Sequence, residues 1–141
     1  MKISMDNHAR FEEVEHTADI AIRVWGRDLA ELFANAAYGM ACQLGGMASG
    51  NQNVERLVEL QAYDTETLLV SWLGELLYLS EREESIFTDF EMLEITPTRL
   101  RAIVGGRPIE EHKQHIKAVT FSDLEIVRTQ VGYETTIVFD V

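Results

Sequence analysis

The chain has 141 residues, 46% hydrophobic and 26% charged, with one cysteine and a net charge of −12. That length and balance are those of one globular domain with a core of its own, held without any intrachain disulfide. The acidity argues against a broad nucleic-acid grip, which needs a basic face to displace phosphate counterions. No apolar run has the length of a membrane span or the character of a signal peptide, so a reducing, cytoplasmic setting is expected.

The charge is uneven: −3 over residues 1–53, −9 over 54–96 and zero over 97–141. A basic protein partner or a cation is the better electrostatic match.

Residues 1–10 show no periodicity and are assigned to a flexible tail, leaving 11–141 as a single domain. Residues 11–14 can pair as a short strand. Residues 18–25 alternate as a strand that Gly26 ends. Asp28, with Glu31 three residues on, caps a helix whose apolar positions Leu32, Phe33, Ala36, Ala37 and Met40 carry it to about Gln43. Cys42 lies among alanines, surroundings that suit a buried structural thiol. Residues 44–53 are rich in glycine and polar residues and read as a loop.

A strand follows over 54–63. Asp64 then opens a second helix, whose stripe of Leu68, Leu69, Trp72, Leu73, Leu76 and Leu77 is the clearest in the chain. Residues 87–95 and 100–104 read as a hairpin around Thr96-Pro97-Thr98, stopped by Gly105-Gly106. Residues 107–114 read as a loop or helical turn, 116–121 and 124–128 as strands, 130–133 as a turn, and 135–141 as a final strand. The order predicts an α+β fold, two helices on one face of a mainly antiparallel or mixed sheet.

Phosphate-binding glycine loops, zinc-type cysteine pairs and the Gly-x-Ser-x-Gly nucleophile motif are all absent from the sequence. Three polar groupings remain. In Glu15-His16-Thr17-Ala18-Asp19, Thr17 and Asp19 either cap a turn or contribute to a site beside His16. In residues 117–123, Lys117 and Thr120 interrupt an apolar run, as the outward positions of an edge strand also do. In Phe139-Asp140-Val141, the Asp140 side chain and the terminal carboxylate repel each other unless a cation lies between them. A hard metal ion would serve, and so would a lysine such as Lys117.

Taken together these stretches resemble the archease family, over nearly the whole chain. The residues that carry the likeness are Glu15 to Ile20, the helix opening Asp28-Leu29-x-Glu31-Leu32-Phe33, and Leu68-Leu69-Val70-x-Trp72-Leu73-x-Glu75-Leu76-Leu77-Tyr78. Ile116-Lys117-Ala118-Val119-Thr120 and Phe139-Asp140-Val141 complete it. The resemblance implies a strand-helix-strand-strand module. It also implies an accessory protein, with no catalytic residues of its own, that activates a GTP-dependent RNA ligase of the RtcB type in tRNA splicing and RNA repair. Such a protein promotes guanylylation and multiple turnover of the ligase and can widen its use of nucleotides.

The resemblance also implies a divalent cation, calcium, at Asp19, Asp140 and Val141. His16, Thr17, Asp19, Lys117, Thr120 and Asp140 are then the candidates for activation. Many relatives carry histidine where Ser122 stands here, which leaves His16 or His115 to do its work. The alternatives are a chaperone-like modulator of other proteins and a small metal-dependent enzyme with its own substrate.

Overall fold

Two aspartates start the two helices. In the computed structural model, which describes residues 2–4, 11–14, 19–48, 51–122 and 124–141, the Asp28 carboxylate accepts the Glu31 N–H at 2.8 Å and opens α1 (Leu29–Leu44). Asp64 accepts the Thr67 N–H at 2.8 Å and opens α2 (Thr65–Glu83). Each satisfies a donor that a helix start leaves without a partner, and places negative charge at the positive end of the helix dipole. Helix α2 ends on Glu84, whose φ of 50° turns its N–H back to the Ser80 carbonyl.

Among the described residues ten strands form two antiparallel sheets. The first is built on the hairpin of β6 (Ser85–Ile95) and β7 (Arg99–His112). Strand β1 (Lys2–Ser4) borders β6, while β4 (Gly45–Ala48) and β5 (Val54–Gln61) follow one another along the far edge of β7. In the second sheet β3 (Ile20–Gly26) lies between β2 (Phe11–Val14) and β10 (Gly132–Asp140). The other edge of β10 takes β8 (Ala118–Val119) near one end and β9 (Val127–Thr129) near the other.

The core joins these layers. Helix α1 touches β2, β3 and β10 of one sheet and β4 and β6 of the other. That double contact is why its small residues Ala30, Ala34, Ala36, Ala37 and Ala41 are all buried. Helix α2 lays Leu68, Leu69, Trp72, Leu73 and Leu76 inward, each such side chain contributing on the order of 2 kcal/mol through burial. The Trp72 indole N–H donates to the Phe33 carbonyl at 2.9 Å, and the ring meets Phe90 edge-on at 5.9 Å, tying α2 to α1 and to β6. None of the described helices is long and apolar enough to cross a membrane.

The α+β class and its two helices hold; the strands divide between two sheets, with α1 facing both. Within the stretch expected as a tail, Lys2–Ser4 instead pair with Glu91, Phe90 and Asp89, because the outer edge of β6 offers backbone donors and acceptors that even three residues can satisfy. The loop expected over 44–53 contains β4. Gly45 starts it, at a place where a Cβ would collide with the Ile86 side chain.

The largest departure is β7, which runs through Gly105-Gly106 to His112 instead of stopping. A Cβ on Gly105 would meet the Gln52 side chain and one on Gly106 would sit 3.0 Å from the Phe87 ring, so these glycines admit neighbours. Ladders on both edges hold the strand together across them. The strands expected over 116–121 and 124–128 shrink to β8 and β9, since β10 offers them only part of one edge.

Candidate functional site

The hairpin of β2 and β3 meets the end of β10. Val14 pairs with Ala21, and residues 15–19 join the two strands. On its other edge β3 pairs with β10 as far as Ile20 opposite Phe139. Asp19 and Asp140 are the next residue beyond that last pair on each strand. On the far side of β10, Asp140 pairs with Ala118 and Phe139 with Val119. The same register sets Lys117 opposite Val141. Main-chain bonds fix this edge, with the Lys117 N–H donating to the Asp140 carbonyl at 2.7 Å and the Thr120 N–H to the Val138 carbonyl at 3.0 Å.

Asp19, the 117–120 stretch and Asp140-Val141, three stretches far apart in sequence, thus meet at one end of the second sheet. Asp140 and Lys117 are exposed, whereas Asp19 and Thr120 are half-buried. Ile22, Ile116 and Phe139, on the same segments, are fully buried. His16 and Thr17 lie outside the described residues, as do Glu15 and Ala18.

Opposed residues of an antiparallel ladder lie roughly 4.5–5.5 Å apart at Cα, near enough for their side chains to interact. Asp19 and Asp140, each just beyond the last pair of that ladder, bring carboxylate oxygens of the kind a hard divalent cation takes to this edge, beside Val141. These oxygens fit a calcium ion in chemical type. No group of three His, Cys, Asp or Glu side chains able to hold a metal occurs among the described residues. The candidate set has only two such side chains, Asp19 and Asp140.

The turn after β8 is held by the Ser122 N–H donating to Thr120 Oγ1 at 3.1 Å and the Leu124 N–H donating to the Phe121 carbonyl at 3.1 Å. His115 belongs elsewhere: with Leu44, Glu81, Ile109 and His112 it lines a cleft of about 260 Å³ where the ends of α1, α2 and β7 meet.

Sequence reasoning passes over Glu13. Its Oε1 accepts from Gln43 Nε2 at 2.9 Å and from Lys113 Nζ at 3.4 Å. The Gln43 hydrogen bond, and after it the Lys113 charge, hold the Glu13 carboxyl below the usual carboxylate range. The one available signal is Gln43 itself, a polar residue in the apolar last turn of α1 that is almost wholly buried. Close by, burial pushes the Cys42 thiol up, in keeping with a structural cysteine.

A sequence model of the Archease protein family (MTH1598/TM1083) matches residues 11–141. Protein archease of Methanosarcina mazei is 36% identical over 140 residues, 94% of this chain and 96% of its own length. Protein archease of Saccharolobus islandicus is 35% identical over 136 residues, 93% of this chain and 98% of its own. The solution structure of Methanobacterium thermoautotrophicum protein 1598 superposes with a TM-score of 0.73 at 30% identity, over 93% of this chain and 98% of that one. The crystal structure of a Thermotoga maritima archease, described as a possible chaperone, superposes with a TM-score of 0.66 over 96% of this chain and 100% of that one; at 22% identity it speaks for the fold alone. With the family's sequence pattern running from β2 to Val141 and relatives matched over nearly their full lengths, this chain belongs to the archease family.

Proposed function

We propose that this protein is a cytoplasmic accessory factor that activates a GTP-dependent RNA ligase of the RtcB type in tRNA splicing and RNA repair. Family membership over residues 11–141 carries the reading. The factor promotes guanylylation of the ligase's active-site histidine, so that the ligase turns over repeatedly and accepts a wider range of nucleotides. It contributes no catalytic group of its own.

The working end is the carboxylate cluster, which the register of β3, β10 and β8 supports. Asp19, Asp140 and the α-carboxylate of Val141 hold a divalent cation, calcium. Such an ion, when bound, supplies positive charge for phosphate oxygens and orders the groups around it. Lys117 and Thr120, fixed to β10 through their main-chain N–H groups, set the spacing of the neighbouring edge. His16 and Thr17 flank Asp19 in sequence and complete the set. A ligase active site holds metal and nucleotide, and an acidic tip is complementary to it; the chain's net charge of −12 favours approach to such a positively charged centre.

The test is a multiple-turnover ligation assay with substoichiometric activator, comparing the natural protein with Asp19→Asn and Asp140→Asn. Each substitution is expected to abolish most of the gain in turnover while leaving the fold intact. Full activation by both variants would remove the carboxylates from the mechanism. If the natural protein suppressed aggregation of unrelated proteins and left ligase turnover unchanged, a chaperone-like role would take the place of activation.

A further inference from the structure

Two of the segments that carry the candidate site, those leading to Asp19 and to Lys117, are fastened together behind it. One is β2, which leads into residues 15–19. The other is the connector 113–117, which leads from β7 into Lys117 and β8. Glu13 on β2 accepts hydrogen bonds from Gln43 at 2.9 Å and from Lys113 of the connector at 3.4 Å. Gln43 Oε1 in turn accepts from Gln114 Nε2 at 3.3 Å, and the Lys113 N–H donates to the Leu44 carbonyl at 2.9 Å. Gln43 is only 2% exposed. A buried amide needs partners for both its oxygen and its nitrogen. Gln43 finds one on each segment, and so is committed to both.

We propose that Glu13 and Gln43 are positioning residues that clamp the stem of the β2–β3 hairpin to the connector 113–117. They thereby set where Asp19 stands relative to Lys117 and Asp140. The inference rests on the reading of Asp19, Asp140 and Val141 as the functional site. The charge of Glu13 suits the task, because an ionised carboxylate accepts from an amide and from an ammonium at once. Glu13 is largely exposed on its other side, so its truncation leaves the core undisturbed.

The test is amide hydrogen exchange on the full chain without added cation. Glu13→Ala is expected to speed exchange at Ile20, Lys117 and Thr120 by about tenfold while β6 and β7 keep their protection. Glu13→Gln retains an oxygen for Gln43 and is expected to restore most of the protection. Wild-type exchange at those three amides in Glu13→Ala overturns the clamp, and so does an equal loss across β6 and β7, which marks general destabilisation. Calcium titration of the same proteins by calorimetry separates the two ideas. A natural protein that binds no calcium defeats the cation reading, and the exchange result still decides the clamp. Calcium affinity that falls several-fold in Glu13→Ala and recovers in Glu13→Gln supports both.

Discussion

Replacing Asp140 by asparagine should act in opposite directions with and without calcium. The change keeps the shape of the side chain and removes one charge. Without a cation, Asp140 stands just beyond the Ile20–Phe139 pair, as Asp19 does on the other strand, so on the proposed reading the two carboxylates face each other. At roughly 5 Å between opposed side chains, one such carboxylate pair repels by about 0.8 kcal/mol in bulk-like water, and by more where protein displaces water. Because Asp140 is exposed, Asp140→Asn should stabilise the cation-free chain by about 0.5–1 kcal/mol, or on the order of 2–4 °C in Tm.

On the proposed reading, calcium at about a hundred times its Kd should stabilise the natural protein by about 2.7 kcal/mol through mass action, roughly 8–10 °C. The variant should lose most of that gain. Scanning calorimetry in chelator and in saturating calcium measures both effects. An equal calcium-induced rise in the two proteins would refute the reasoning, as would a variant less stable than the natural protein in chelator.

Acid should loosen the Glu13 contacts. The Gln43 hydrogen bond, and after it Lys113, hold the Glu13 carboxyl below its ordinary 4.5. Its contribution is therefore complete above that value and is lost as pH falls through the lower folded-state value. Urea melts should show Glu13→Gln flattening the acid limb of the stability curve by less than about 1 kcal/mol, since the side chain is largely exposed. Gly132→Ala should cost more than about 1 kcal/mol. Gly132 has φ +146°, and a Cβ there would run into the Gly26 carbonyl oxygen and lie 2.7 Å from the Arg27 Cα. An unchanged denaturation midpoint would show that the turn relaxes freely. Trp72→Phe removes the hydrogen bond to the Phe33 carbonyl and opens a gap beside Phe90, for a loss of about 2–3 kcal/mol. A loss below about 1 kcal/mol would mean that Phe90 and its neighbours collapse into the space.

The parts legible in the sequence are those encoded locally. Asp28 and Asp64 start helices with bonds to residues three positions on, and the apolar stripe of α2 repeats at helical spacing, so both helices appear where the pattern puts them. The glycines misled for the opposite reason. Whether Gly105 and Gly106 end a strand or admit Gln52 and Phe87 beside it depends on segments elsewhere in the chain. The division into two sheets has the same origin, because α1 gives no sequence sign that it faces both. The relation of Asp19 to Asp140 is likewise non-local. It could be expected only from the family resemblance, and the register of β3 with β10, which ends at the Ile20–Phe139 pair, brings their segments together. The Glu13 contacts join β2 to α1 and to the connector 113–117, and no window of adjacent residues contains them.

Strand β10 has a consequence for the chain as it is made. Its sheet neighbours β3, β8 and β9, and β2 beyond β3, all precede it in sequence. During synthesis the β2–β3 hairpin emerges early and then waits with one edge of β3 unpaired. The segments of the first sheet, by contrast, are all available once β7 has been made. A chain interrupted between β7 and β10 can therefore carry a folded first sheet, but it has no strand to set Asp140 against Asp19. Asp140 exists only on molecules whose translation has passed residue 140, so on the proposed reading an unfinished chain lacks the activating site.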